Sequence, residues 1–309
     1  MGDDAALGRI LRKAGDSRVL DLLADQLSGA DLTTLLLAVS RTRAGRLAAP
    51  DVPCRYDSDR FTAPGTVPFT RLRKAEDALL SALPDTFERV TLSPVVPLGT
   101  HSVLGGVHQN KVVATIRASE VAADPTNGLA LEAAVRRRRA LAADPRSPLP
   151  VRLATVQRVT RAQPVGGPVS FAHFTLFALV TAGRDTGDLA FERAHAVEHL
   201  TFLVNALRAA GSRRTRVVLT TLVPRFTPVA AAVTAALTGR PGVEITHDPE
   251  RQRARDYYTG LCFMVCATLG AAEYEVSDGG FVDWTAALLG NRKERLLISG
   301  TGVDRLALG

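Results

Sequence analysis

Lysine is nearly absent from this chain. Four lysines, at positions 13, 74, 111 and 293, stand beside 34 arginines, and the net charge is +7 with a pI near 9.8. Two readings of this skew stay open: a compositional bias toward Arg and Ala, or a phosphate-rich partner such as ATP or RNA. Cysteine is scarce too. Cys54, Cys262 and Cys266 are an odd number without a Cys-x-x-Cys pair, which excludes a disulfide framework and reads as reduced, structural thiols. Aromatic residues make up 5% of the chain, and the only tryptophan, Trp284, reads as an anchor of the core or of a dimer interface. No apolar run approaches the roughly 20 residues that a membrane-spanning helix needs. The opening Met-Gly-Asp-Asp is acidic and carries no apolar signal core, so a cytoplasmic location is expected. What is present is ordinary for a globular protein: 46% hydrophobic and 22% charged residues exclude disordered and collagenous classes.

Apolar spacing divides the chain into a small helical extension, 1–50, and a main body, 51–309. In the extension Leu20, Leu22, Leu23 and Leu27 share one helical stripe, and Asp31 is placed to cap a second helix carrying Leu32, Leu35, Leu36 and Val39. Pro50, Pro53, Pro64 and Pro68 punctuate the join. Beyond it the pattern predicts a helix over 69–83, a strand over 87–96, a loop over 99–106, a strand over 112–116 and a helix over 128–141. A hairpin follows, 151–159 with 171–181, its turn rich in Gly and Pro. A helix over 189–210, a strand over 216–222, a helix over 229–237 and a short strand over 243–246 come next. Strands over 260–268, 272–277 and 295–299 close the chain, with a helix near 282–289. Strands outnumber parallel crossover units, which predicts an α+β fold with a largely antiparallel sheet.

Several constellations offer chemistry. The run Arg136-Arg-Arg-Arg139 reads as cations ending a helix, with nucleic acid as the competing reading. His195-Ala-Val-Glu-His199 puts two histidines on one helix face with Glu198 between them, the spacing of an inverted-type zinc hydrolase; without a third ligand, interface histidines are the competing reading. His101 and His108 flank a glycine-rich loop and are read as solvated or catalytic. The closing segment holds Arg253-Ala-Arg-Asp-Tyr-Tyr-Thr-Gly260, Asp278-Gly-Gly280 and Gly300-Thr-Gly-Val-Asp-Arg305. Glycines ending a strand allow close approach to the backbone, and an arginine beyond them offers a fixed fork for phosphate.

In this order the segments resemble the catalytic core of class II aminoacyl-tRNA synthetases, most closely histidyl-tRNA synthetase and the regulatory subunit of ATP phosphoribosyltransferase. The helix 69–83 with the strand ending at Pro94 is similar to the dimer-forming first motif. Arg161 with its hairpin resembles the second motif, whose arginine contacts the α-phosphate of ATP. Gly300-Thr-Gly-Val-Asp-Arg305 resembles the third, whose arginine contacts the γ-phosphate. Arg253-Ala-Arg-Asp-Tyr-Tyr is similar to the element whose arginine assists attack on ATP, and Asp124-Pro-Thr126 falls where the family contacts the amino-acid amine. The resemblance implies an antiparallel sheet flanked by helices, a homodimer, and ATP with Mg²⁺. It implies catalysis by Arg161, Arg253 and Arg305. Arg161, Gln163, Gly300, Gly302 and Arg305 would bind ATP. Asp124, Thr126, Leu176, Val180, Tyr257, Tyr258, Gly279 and Gly280 would line the acid pocket.

The departures are as informative. Gln163 stands where the family has glutamate, Leu176 and Val180 where it has Gln and Glu, and Phe281 where it has arginine. A pocket that loses polar side chains loses hydrogen bonds to an imidazole, so histidine is not the expected substrate. The chain stops after the third motif, so charging of tRNA is not expected. Adenylate formation builds charge on phosphoryl oxygens, and fixed cations are its main need. The expectation is a stand-alone ligase that activates a small carboxylic or amino acid. A catalytically silent regulatory or scaffolding subunit with a protein partner is the alternative, and an RNA-binding protein a third class.

Overall fold

The computed structural model describes residues 2–163, 172–252 and 258–308. They fall into two compact units, residues 1–63 with 114–119, and residues 64–113 with 120–309.

The first unit is helical: Gly2–Ala14, then Val19–Asp21 running into a π-helical turn at Leu22–Gln26, then Gly29–Ala44 and Asp51–Ser58. Ser28 caps the third helix, its Oγ accepting from the Asp31 N–H at 3.1 Å, so the cap is Ser28 and Asp31 sits one turn inside. None of its described side chains is buried; Leu20, Leu22, Leu35 and Val39 of the sequence stripe are each more than 40% exposed.

Ten strands are described: β1 (Glu88–Arg89), β2 (Val95–Pro97), β3 (Ser119–Val121), β4 (Val151–Thr160), β5 (His173–Arg184), β6 (Thr215–Thr221), β7 (Val243–His247), β8 (Leu261–Leu269), β9 (Ala272–Val282) and β10 (Glu294–Gly302). Eight of them form one sheet in the order β1-β4-β5-β10-β9-β8-β6-β7, while β2 pairs with β3. Only β1–β4 and β6–β7 run parallel, so the sheet is largely antiparallel, as expected. The class is α+β.

Period-two alternation sends the strand side chains to two cores. On one face Phe177, Leu179, Phe263, Val265 and Leu297 meet helices Phe69–Ala82, Ala190–Ala209 and Thr227–Leu237. Leu200, Phe202, Leu203 and Leu207 are buried there, each contributing about 1.5–3 kcal/mol by leaving water. On the other face Leu153, Ala178, Val180, Leu296 and Ile298 meet helices Pro125–Ala143 and Trp284–Leu289, and Trp284 is a core residue, 3% exposed.

Three local expectations fail. The strand predicted over 87–96 is broken into β1 and β2, because Pro94 and Pro97 lack the N–H a ladder needs. The loop over 99–106 holds a short helix, Thr100–Gly105, set between Gly99 and Gly106 in left-handed backbone. The buried Glu120 carboxylate fixes it, accepting from the N–H groups of Gly99 (3.0 Å) and His101 (2.8 Å). Residues 112–116 form no strand. The arginine run also changes meaning. Arg137 is fully buried and doubly paired with Glu294, and Arg136 pairs with Glu132 and Glu88. Nor are all cysteines structural, since Cys54 is exposed while Cys262 and Cys266 are buried.

Candidate active site on the sheet face

The register lays out the site as rungs across one face of the sheet. One rung runs Leu153–Val180–Ile298–Gly280–Cys262–Thr220, a second Thr155–Ala178–Gly300–Asp278–Met264, and a third Gln157–Leu176–Gly302. The first is covered: Leu153, Val180, Ile298 and Cys262 are core residues under the two helices of that face. The face opens along the second and third. Among the described residues a Cβ added at Gly300 would meet nothing within 4 Å, and Gly300, Gly302, Leu176 and Asp278 are each only partly buried. The bare strand of Gly300 is therefore an open floor that any flat group can approach.

Arg161 stands at one side of this floor. It follows β4 directly and shares the face of Thr155 and Gln157 by alternation. Its Nε donates to the Ala123 carbonyl (2.9 Å), its Nη2 to Asp124 Oδ2 (3.2 Å), and its guanidinium lies 5.0 Å over the Phe174 ring. Nη1 makes no hydrogen bond to another described residue. Asp124 is itself committed: it caps helix Pro125–Ala143, accepting at Oδ1 from the Thr126 N–H (2.9 Å) and hydroxyl (2.7 Å). Pro125 at the first helical position completes the start signal. Arg305 stands beyond the end of β10, in helix Val303–Leu306, and its Nη1 donates to the Glu275 carbonyl at 2.8 Å. The buried Asp304 beside it accepts from the Thr175 N–H at 2.5 Å, which pins this turn to β5.

On the far side Asp278 accepts from the Tyr258 hydroxyl and from Arg251 Nη2, the latter at 2.5 Å. Neither Arg251 nor Asp278 was expected as a site residue; the signal was Asp278 standing directly before the Gly-Gly pair. That pair serves packing. A Cβ on Gly280 would lie 2.6 Å from Tyr258 Cδ1, and one on Gly279 would lie 2.4 Å from the Phe263 ring. Gly280 thus seats the tyrosine that orients Asp278. Phe281 points to the opposite core, 5.8 Å from Phe226, away from the open floor. Two further polar groups sit on the open rungs: Thr155 Oγ1 and Gln157 Oε1 are buried without a hydrogen-bond partner among the described residues. Polar residues at every second position of a buried strand were the signal for these. Gln163 is exposed just beyond β4, and Arg253 and Tyr257 lie outside the described residues.

The histidines resolve differently. His101 is fully buried, not solvated: its Nε2 accepts from the Ala123 N–H (3.0 Å), so Nδ1 carries the proton toward Asn127 Oδ1 (2.8 Å). It positions Ala123, and through it Arg161. His108 is exposed and caps the turn Gln109–Lys111. His199 uses both ring nitrogens on Ser299 Oγ (2.6 Å) and Thr181 Oγ1 (2.9 Å), and burial pulls its pKa down to about 3. His195 pairs with Glu198 at 2.7 Å, and Arg152 holds the same carboxylate. Among the described residues no group of three or more His, Cys, Asp or Glu could hold a metal ion.

Solved structures share this fold. A histidyl-tRNA synthetase from Staphylococcus aureus superposes with a TM-score of 0.56 at 15% identity, over 78% of this chain and 64% of its own. An ATP phosphoribosyltransferase regulatory subunit/histidyl-tRNA synthetase from Bacillus halodurans gives 0.60 at 13%, over 79% and 80%. A histidine–tRNA ligase subunit from Alicyclobacillus acidocaldarius gives 0.59 at 19%, over 79% and 94%. The fold is that of a class II aminoacyl-tRNA synthetase core. No protein-family model and no curated protein sequence matches the chain. This synthetase-like core spans under two thirds of the Staphylococcus enzyme's length. Within it, the structure brings Arg161, Leu176, Gly300, Gly302 and Arg305 to one end of one sheet face, and buries Val180 in the covered rung beside them.

Proposed function

We propose that the protein is an ATP-dependent ligase that activates the carboxylate of a small acid other than histidine as its adenylate, without charging tRNA. The observation that carries this reading is the open floor at Gly300, between Arg161 and Asp278, among the described residues. A nucleotide laid along that floor would place its α-phosphate toward Arg161 Nη1 and its terminal phosphate toward Arg305, whose Nε and Nη2 have no hydrogen bond to another described residue. Attack of the substrate carboxylate on the α-phosphorus expels pyrophosphate, and fixed guanidinium charge stabilises the phosphoryl oxygens as it does so. Mg²⁺ would arrive on the triphosphate and supply further charge neutralisation; no cluster of carboxylates on the described residues is built to hold it alone. The acid would lie toward the partly exposed Leu176, which favours a mainly apolar side chain. Tyr258 and Asp278 offer it one hydroxyl and one carboxylate. Exposed Leu98 (54%) and Val103 (79%) support a homodimer, for which light scattering is the check. A cytoplasmic location completes the proposal.

ATP–pyrophosphate exchange across a panel of small acids tests the reading, with calorimetry of ATP binding alongside. Exchange with at least one acid, lost in Arg161→Ala and Arg305→Ala, is the expected result. No exchange with any acid, together with no heat of ATP binding, would sink it. A regulatory or scaffolding role is the second reading. What favours it is Asp124 already seated on Arg161, with Gln163 where the family has glutamate. Co-purification of a stoichiometric protein partner, with ATP turnover absent, would decide for it.

A further inference from the structure

The helical unit carries a basic hollow of its own. Arg43, Arg46 and Arg55 line a concavity of about 500 Å³ with Leu47, Asp51 and Cys54. The corner between helices Gly29–Ala44 and Asp51–Ser58 is tightly tied. Gly45 N–H donates to the Arg41 carbonyl (2.9 Å), Leu47 N–H to that of Ala44 (3.0 Å), and Asp51 N–H to that of Ala48 (3.0 Å). Asp51 Oδ2 accepts from the Ala48 N–H at 2.8 Å, so the single acid of the hollow is occupied in closing the corner. No ion pair of Arg43, Arg46 or Arg55 is formed among the described residues, whereas Arg136, Arg137, Arg152, Arg161, Arg216, Arg251 and Arg295 are all paired. Between Asp31 and Asp51 the sequence has three arginines and no acid, so the charge is concentrated here. Three guanidinium groups around one open concavity, with one acid turned to the backbone, match a ligand with several clustered negative oxygens. The volume lies within the range of about 300–1,000 Å³ typical of small-molecule sites.

We propose that this hollow is a second ligand site, which binds a small polyphosphate-bearing molecule of nucleotide size and is independent of the sheet-face site. Arg43 in the last turn of helix Gly29–Ala44 and Arg46 in the turn just beyond it hold one side of the ligand, and Arg55 closes from the next helix. Cys54 lies in the wall as the only exposed cysteine, since Cys262 and Cys266 are buried. It therefore reports on occupancy without any engineered probe.

The test is the rate at which an aromatic disulfide reagent modifies Cys54 in the full-length native chain, followed by absorbance. Inorganic triphosphate is the ligand, and sodium chloride at equal ionic strength is the control. Triphosphate at about ten times its half-protecting concentration is expected to slow the reaction about tenfold. The exposed-surface variants Arg46→Ala and Arg55→Ala should each raise the half-protecting concentration about tenfold, from loss of a charge-assisted bond, with an unchanged unfolding midpoint. Arg305→Ala should leave protection intact, which separates this site from the sheet-face site. Equal rates with triphosphate and chloride, protection that survives both hollow variants, or protection by an oligoribonucleotide but not by triphosphate would each overturn the proposal.

Discussion

Replacing Arg137 by methionine removes one half of an ion pair that no water reaches. Arg137 and Glu294 are both fully buried and meet through two parallel bonds, Nε to Oε2 at 2.7 Å and Nη2 to Oε1 at 2.8 Å. The same guanidinium donates to the carbonyls of Leu149 (2.7 Å) and Ser147 (3.0 Å), so one side chain ties helix Pro125–Ala143, the approach to β4 and the start of β10 together. Methionine keeps much of the volume but leaves the Glu294 carboxylate alone in an apolar place. Breaking such a pair costs about 3–5 kcal/mol, against a total stability of about 5–15 kcal/mol for a typical domain. In urea, with a slope near 3 kcal/mol per molar, the midpoint should fall by about 1 to 2 M. The double variant Arg137→Met/Glu294→Leu removes both charges together and should regain most of that loss, giving a large coupling in a double-mutant cycle. A single variant that costs less than about 1 kcal/mol, or a double variant whose loss is the sum of the two singles, would refute the claim that this pair is desolvated and coupled.

The glycines of the sheet face should divide by what surrounds them. Gly300→Val adds atoms into open space on a strand and should leave the urea midpoint unchanged or raised, while abolishing the heat of ATP binding. Gly280→Ala pushes a methyl group to within 2.9 Å of the Cys262 backbone and should destabilise by about 1–3 kcal/mol. His199 predicts a pH dependence. Its folded pKa is lowered to about 3 by burial, and the unfolded chain binds a proton near the ordinary 6.5. The unfolded state therefore holds more protons between these values, and stability is lost as pH falls through this window, by up to about 1.4 kcal/mol per unit. Urea midpoints taken from pH 7 to pH 4 on the native chain and on His199→Gln should diverge, with the native chain the steeper; parallel curves would refute it.

The sheet was legible because its central strands are apolar runs, buried nearly throughout, set between turn residues. The hairpin of β4 and β5, strand β8 and the helix Ala190–Ala209 lie near their expected bounds, while β9 runs on to Val282 and β10 to Gly302, past the expected ends at 277 and 299. The candidate site depends on local words, such as Arg161 after a strand or Gly300-Thr-Gly before Arg305, and its place on the sheet follows from them. What escaped depends on partners far away in sequence. Nothing local in Arg136-Arg-Arg-Arg139 tells that its second member finds Glu294 across 157 positions. His101 sits in a glycine-rich stretch that looks like a surface loop, and only the buried Glu120 beneath Gly99 turns that stretch into a fixed helix. Phe281 follows the Gly-Gly pair directly, yet strand alternation carries it to the opposite core.

The rungs also explain how such a face can keep one half of its chemistry while changing the other. Nucleotide contacts would come from backbone that needs no side chain, at Gly300 and Gly302, and from arginines at the strand ends held by main-chain carbonyls. Those carbonyls persist whatever residue supplies them, so the clamp tolerates wide sequence change. The acid pocket has no such protection. As proposed, it would be made of side chains on β5 and β9, where one substitution changes both polarity and shape: Leu176 for an amide, or Asp278 held by Tyr258 and Arg251 in an ion-paired corner. Divergence in this fold should therefore concentrate on alternate residues of β5 and β9 that face the open rungs. The glycines, Arg161, Arg305 and the Asp304 bond that pins the last turn to β5 should change last.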